Sequence, residues 1–421
     1  MRIQLLIILS FLFVLYSCGQ EIEEVHPLFP CSKKLNNPYG VTSHFDSPNR
    51  DYINQLGQLE LMSQAGIGNV RMHIHMNFMG NYVSAKSNLY ADTALYRNQQ
   101  YKIEELITTT SGNSNAWVWD NLDAYSKAFD YYLDKYGSQI RAWEVINEVN
   151  LKKHTNKDSL PNNYLAVLSH TYKKIKKHNK NNLVVFSGIG GKSLGIKLDF
   201  ARSLYELKAY DYFDVFNFHT YKKPEIIIEE LQAFASLMKE YEKMKPVWIT
   251  ECGMTTYSKR TEKSNKKLEE EQAKRLSRIF IISFSYGVDK VYWYELRSNP
   301  KNIGGEREFG IVTGDLVPKP AYFAYKTLTK MCPSGSQRPK LYISGSLYLA
   351  EWKRPDKKNV WAVWNATGIS RKQDVEIIGK ARYFDYLGRE MSNISEIDDR
   401  VVYIVGAKSI RIKQSSSLLG N

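Results

Sequence analysis

Apolar runs recur along this chain, and two of them end abruptly on charge. Ala142-Trp143-Glu144-Val145-Ile146 stops on Asn147-Glu148, and Pro246-Val247-Trp248-Ile249-Thr250 stops on Glu251. Strands buried on both faces read as such near-continuous apolar runs. Similar runs cover Tyr39–Phe45, Asn69–His75, Leu183–Ser187, Phe213–Phe218 and Lys290–Glu295. Between them the period turns helical: Ile53, Leu56, Leu59, Met62 and Ala65 share one face, and Gly66 and Gly68 close the helix. Further helices are predicted over 120–136, 163–178, 199–209 and 224–241, over a Lys- and Glu-rich segment ending at Tyr286, and from Pro318 onward. Residues 77–110 have a poor pattern, where a helix and a strand near Glu105–Thr110 are expected.

Strands alternating with helices predict a parallel sheet with crossover connections. Eight such units over about 300 residues fit an α/β fold, a closed (β/α)₈ TIM barrel, assigned to residues 36–335. From about Pro339 the texture changes to short alternating strands: 341–352, 360–365, 374–378, 381–386, 401–405 and 409–412. They predict a small antiparallel β-sandwich over 336–415, with a Ser-rich tail over 416–421. In a barrel of this kind the chemistry lies at the strand ends that open into βα loops, and Asn147-Glu148 and Glu251 both fall there.

The N-terminus reads as a targeting segment. Arg2 precedes an apolar run from Ile3 to Leu15, short for a membrane span, and then Leu15-Tyr16-Ser17-Cys18. That pattern resembles a bacterial lipoprotein signal, with residues 1–17 removed, Cys18 lipidated and 18–35 left as a linker. Tyr16 departs from the small or β-branched residue usual there, and an ordinary cleaved signal with Cys18 incidental is the alternative. The resemblance implies an anchor in a bacterial membrane, and Glu21, Glu23 and Glu24 point to the outer membrane, facing periplasm or cell surface. Three cysteines remain. Cys31 precedes the first barrel strand and Cys332 follows the last helix, so both fall at the bottom of a closed barrel. A Cys31–Cys332 disulfide is expected, leaving Cys252 as a buried thiol. The net charge of +14 comes largely from Lys clusters such as Lys173-Lys174, Lys176-Lys177 and Lys266-Lys267. These read as solvated helix faces, with an anionic substrate or membrane surface as the alternative. No aromatic-interleaved basic stripe argues for nucleic acid. No H-E-x-x-H spacing argues for a metal, and no cofactor is expected.

Asn147-Glu148, Glu251 and the barrel with its trailing sandwich together resemble clan A glycoside hydrolases, families 5 and 39 in particular. The resemblance covers about Tyr39 to Met331 and, more loosely, the sandwich. It implies a monomeric retaining enzyme cutting β-glycosidic bonds of a poly- or oligosaccharide. Glu148 would be the acid/base and Glu251 the nucleophile, two carboxyls whose pKa values must be pushed apart. By the same resemblance Asn147 would bind the sugar 2-hydroxyl, His219 and Tyr221 would orient the carboxyls, and Trp293 would form an aromatic floor under the sugar. Arg71 is a charge in an inward-facing run, which requires a partner, and it is expected to keep Glu251 ionised. Trp117, Trp119 and His44 are candidate cleft-liners, as are His73 and His75. His219, Tyr221 and Trp293 each have a plainer reading as core residues. The sequence departs from the family in two respects: the segment after the second strand is short of the expected helix signal, and Val149-Asn150 follows Glu148 where a proline is more frequent. Two rival readings stay open, a non-catalytic glycan-binding lipoprotein and a transglycosylase.

Overall fold

The structure is a computed structural model and describes residues 22–45, 54–75, 85–110, 118–151, 159–260, 263–299, 308–368, 371–372, 375–394 and 396–412. Cys18 and Trp117 lie outside the described residues, as does the side chain of His75.

A short strand, β1 (Glu23–Val25), precedes the barrel. The barrel then alternates β2 (Tyr39–Thr42), α1 (Gln55–Gln64), β3 (Asn69–His75), α2 (Ala85–Gln100), β4 (Glu104–Thr110), α3 (Leu122–Tyr136), β5 (Ala142–Glu144), α4 (Leu160–His178), β6 (Leu183–Val185), α5 (Leu194–Glu206), β7 (Phe216–Thr220), α6 (Ile227–Glu240) and β8 (Val247–Cys252). A small hairpin, β9 (Tyr257–Ser258) and β10 (Lys263–Ser264), leads into α7 (Lys266–Ser285), β11 (Val288–Trp293) and α8 (Pro320–Met331). The eight barrel strands pair in the order β6-β5-β4-β3-β2-β11-β8-β7, all parallel. Parallel bridges Val185–Val215 and Ile189–Phe218 join the two ends, closing the barrel. The helix and strand expected between residues 77 and 110 are both present.

Closure sorts the side chains by strand parity. Leu106, Ala142, Val185, Val215, Trp248 and Tyr292 pack together as one buried cluster inside the barrel. Their strand neighbours, including Ile107, Trp143, Val184, Ile249 and Trp293, belong to the larger cluster shared with the helices. Trp143, for example, meets Phe129 of α3 edge-on, with ring centroids 5.5 Å apart.

The C-terminal strands are β12 (Lys340–Ser344), β13 (Leu347–Lys353), β14 (Asn359–Asn365), β15 (Arg371–Lys372), β16 (Val375–Ile378), β17 (Arg382–Phe384), β18 (Glu390–Met391), β19 (Glu396–Ile397), β20 (Val402–Val405) and β21 (Ser409–Ile412). The run expected as one strand from Leu341 to Trp352 is a hairpin turning at Gly345, whose φ of 58° suits glycine. A seven-stranded antiparallel sheet runs β1-β12-β13-β14-β20-β17-β18, so the segment read as a linker supplies an edge strand. One face of this sheet (Tyr348, Ala350, Trp352, Ala362, Trp364, Tyr403) joins the barrel's core. The other (Leu349, Val363, Ile404) is covered by residues of the small β16–β21 and β15–β19 pairs. Among the described residues no helix is long and apolar enough to cross a membrane.

The expected Cys31–Cys332 bridge is not formed; both thiols are free. Cys332 is buried, its carbonyl accepting from Tyr39, and burial pushes its thiol up to about 12. Cys31 stays partly exposed on an N-terminal segment that Arg338 pins through the carbonyl of Ser32. Sharing the barrel's bottom face was not enough to pair them.

At that bottom end a cavity of about 650 Å³ is lined by Asn37, Glu104, Glu105, Arg141, Trp248 and Lys290 among others. Glu105 Oε1 has no partner there, and burial raises its carboxyl from 4.5 to about 7. A carboxyl raised on folding keeps its proton while the unfolded chain loses it, so its contribution to stability falls as pH rises from 4.5 to 7. Glu105→Gln should therefore gain on the wild type by roughly 3 kcal/mol between pH 4 and pH 8. Urea unfolding at the two pH values checks this; a pH-independent difference would remove the burial argument.

Candidate active site

At the opposite end, β3, β5, β7 and β8 each deliver a polar side chain. Arg71 on β3 is fully buried. Its guanidinium grips Glu144 with two bonds, Nε to Oε2 and Nη2 to Oε1, both 2.8 Å. Nη1 donates to Glu251 Oε1 at 2.6 Å, and Nη2 to Asn147 Oδ1 at 2.7 Å. Burial alone would discourage the charge, but Glu144 and Glu251 outweigh it and hold the guanidinium above its ordinary value. The cation sits between two carboxylates, so the partner that the sequence demanded for Arg71 is twofold. Because arginine only donates, Asn147 must present Oδ1 to it, which turns the Nδ2 donors elsewhere.

Glu251 is held at both oxygens, since Tyr221 donates its hydroxyl to Oε2 at 2.6 Å. Tyr221 is 41% exposed, with its ring toward solvent and its hydroxyl turned inward. Burial of that hydroxyl, then the neighbouring Glu251 charge, raises its pKa well above the usual value, so it stays a donor. His219 Nδ1 lies 3.0 Å from Glu148 Oε1 and 3.5 Å from Glu251 Oε2. Its Nε2 lies 3.0 Å from Thr250 Oγ1, which Asn217 Nδ2 reaches at 2.7 Å. Thr250 and Glu251 are consecutive, yet both contact His219. A register shift between β7 and β8 explains it: His219 pairs with Glu251 directly after Phe218 pairs with Ile249, leaving Thr250 as an extra residue. Bulges re-aim side chains in this way, often beside active sites.

Six of the expected site residues thus converge: Arg71, Asn147, Glu148, His219, Tyr221 and Glu251. One carboxylate oxygen each from Glu148 and Glu251 and one nitrogen of His219 lie within 4.8 Å of one another. That trio has the donor set for a metal ion. However, Arg71 already places a fixed cation against Glu251, which offsets the charge that a metal would otherwise balance.

Trp293 must be corrected. It is fully buried among residues shared with the helices and cannot lie under a sugar. Strand parity puts its neighbour Tyr294 on the site side instead. Tyr294 meets Tyr221 edge-on at 6.3 Å and Phe309 at 5.5 Å, forming an aromatic wall beside Glu251. His44 stacks on His73 at 5.5 Å, with Glu295 3.8 Å from its Nε2, at the end of β2. Trp119 sits on a short helix before α3 and packs partly buried against the main core. Cys252 is fully buried, and burial, then Glu251, raises its thiol pKa, which disfavours a thiolate nucleophile.

Sequence reading missed Thr250, Asn217 and Tyr294. An Asn two residues before His219 and a Thr directly before Glu251 were visible, but only the bulge makes them partners.

Residues 110–309 match the family model described as the glycosyl hydrolase catalytic core. Comparison with curated proteins gives no match. Among solved structures, a family 39 glycoside hydrolase from the gut symbiont Bacteroides cellulosilyticus WH2 superposes with TM-score 0.70 at 20% identity, covering 89% of this chain and 81% of that one. A GH30 endoxylanase from Clostridium papyrosolvens C71 gives 0.58 at 15% identity, covering 91% and 100%. A family 51 α-L-arabinofuranosidase from Bifidobacterium longum gives 0.60 at 12%, covering 92% and 99%. These likenesses are of fold, and they include the C-terminal β-domain as well as the barrel.

Proposed function

We propose that the chain is a glycoside hydrolase, as its clan A-like fold and the matched catalytic-core model support, and that it cleaves β-glycosidic bonds with retention of configuration, using Glu251 as nucleophile and Glu148 as acid/base. The observation that carries this reading is the closeness of the two carboxylates, with oxygens within 4.8 Å. Retaining enzymes hold their carboxyls about 5–5.5 Å apart, whereas inverting enzymes leave about 6.5–9.5 Å for a water.

In the first step a Glu251 oxygen forms a bond to the anomeric carbon. The bond to the leaving oxygen breaks, and that oxygen takes the proton of Glu148. In the second step Glu148 takes a proton from water, whose oxygen displaces Glu251. Arg71 and Tyr221 each donate to one Glu251 oxygen and so fix the orientation of its carboxyl. His219 Nδ1 faces the Glu148 carboxyl. With its proton on Nε2 toward Thr250, Nδ1 accepts from a protonated Glu148, the form that the first step requires. Asn147, anchored by Arg71, offers Nδ2 to a sugar hydroxyl. The substrate is a poly- or oligosaccharide, and the lipoprotein-like leader motivates an anchor at Cys18 in the outer membrane.

Glu148→Ala tests the roles. With a dinitrophenyl β-glycoside, which needs no acid to depart, the variant should turn over slowly, and added azide should accelerate it. The product should be a β-glycosyl azide. An α-azide, or wild-type activity without azide, would defeat the retaining assignment.

A further inference from the structure

The loop that carries Glu148 is held in uncommon backbone. Ile146 and Glu148 have φ of 64° and 44°, and neither is glycine. Left-handed backbone at such residues persists only where its surroundings over-determine it. Ile146 N donates to Thr109 Oγ1 at 3.1 Å, and Val149 N to Ser187 Oγ at 3.2 Å. Asn150 does more. Its Nδ2 donates to the carbonyl of Gly190 at 2.9 Å, and its Oδ1 accepts from the Gly190 N–H at 3.0 Å. One carboxamide thus ties the loop after β5 to a single residue of the loop after β6.

Gly190 is also where the Glu148 carboxyl rests. A β-carbon there would stand 2.2 Å from Glu148 Oε1 and 2.5 Å from its Cδ, distances that no real contact permits. Two residues earlier, a β-carbon on Gly188 would stand 1.9 Å from His219 Nε2. Gly190 does not have the positive φ that marks other glycines of the chain. Its requirement is therefore space rather than backbone freedom.

We infer that Asn150 and Gly190 are positioning residues for the acid/base: the Asn150 carboxamide clamps the Gly190 backbone, and the missing side chain there forms the seat of the Glu148 carboxyl. The inference rests on the acid/base reading of Glu148. It also accounts for the departure at Val149-Asn150, because the Asn150 clamp supplies loop stiffness without a proline.

Asn150→Ala and Gly190→Ala test it, with Gly195→Ala as the control, since a β-carbon on Gly195 meets nothing closer than 3.8 Å. The probes are the phenyl and dinitrophenyl forms of whichever β-glycoside (gluco, galacto, manno or xylo) the wild type cleaves fastest. A phenyl leaving group needs protonation and dinitrophenyl does not, so a displaced acid should lower kcat/KM about 10- to 100-fold on the first. Loss on the second should stay within about threefold, and the control should match wild type. Equal losses on both probes would indicate general damage and overturn the inference. If Glu148→Ala itself shows no such split, the acid/base reading fails instead. Crystal structures of Gly190→Ala and Asn150→Ala then decide the clamp alone. The Glu148 carboxyl is expected to leave the 3.0 Å contact with His219, and an unmoved carboxyl would refute the positioning role.

Discussion

Glu251→Ala and Glu251→Gln should each lose about 10⁴-fold or more in kcat on any glycoside that the wild type cleaves, roughly 5 kcal/mol of barrier. The loss follows from position. Both Glu251 oxygens are already oriented, one by Arg71 at 2.6 Å and one by Tyr221 at 2.6 Å. Arg71 is a cation, and the buried Tyr221 hydroxyl, its pKa raised, stays protonated, so neither replaces the carboxylate. Glutamine keeps the volume and an oxygen acceptor but lacks the charge that forms the glycosyl bond in the proposed mechanism. Alanine also removes the contacts, yet Arg71 retains both bonds to Glu144, so the fold should persist. Unchanged circular dichroism with near-total loss of turnover is the expected pair of results. Appreciable activity in either variant would move the nucleophile elsewhere.

Much of this site was legible because burial makes charge conspicuous. Glu148 and Glu251 stood out at the ends of apolar runs, and Arg71 stood out inside one, since a buried charge needs a partner. What stayed hidden depended on geometry finer than a strand's existence. Parity decides whether Trp293 or Tyr294 faces the sugar side, and a shift of one residue exchanges them. The sequence pattern around Lys290–Glu295 is apolar on both faces, so it carries no parity signal. Likewise the bulge at Thr250 has no mark of its own, because Ile249, Thr250 and Glu251 would read the same in a regular strand. The disulfide failed for a related reason: topology brings Cys31 and Cys332 to one end of the barrel, but bridging needs Cβ vectors that face each other. The fold itself was recoverable because the alternation of strand and helix repeats along most of the chain. Even the poorly patterned stretch before residue 110 was bounded by what its neighbours required.

The same physics makes Arg71→Met damaging to both stability and turnover. Methionine matches the stem but removes four hydrogen bonds, two to Glu144 and one each to Glu251 and Asn147. Glu144 is fully buried, so its carboxyl would lose its guanidinium partner with no route to water. Breaking a buried pair by removing one member costs about 3–5 kcal/mol, because the other charge stays behind. Arg71→Met should accordingly lower the unfolding free energy by about that much and reduce kcat by at least about 100-fold through the freed Glu251 and Asn147. Adding Glu144→Gln separates the two effects. The double variant removes the orphaned charge and should recover much of the stability, measured by urea unfolding, while turnover stays low, because Glu251 still lacks its cation. Recovery of turnover along with stability would mean that Arg71 acts on the scaffold alone. Stability without turnover would assign its charge to Glu251, which lies 2.6 Å from Nη1.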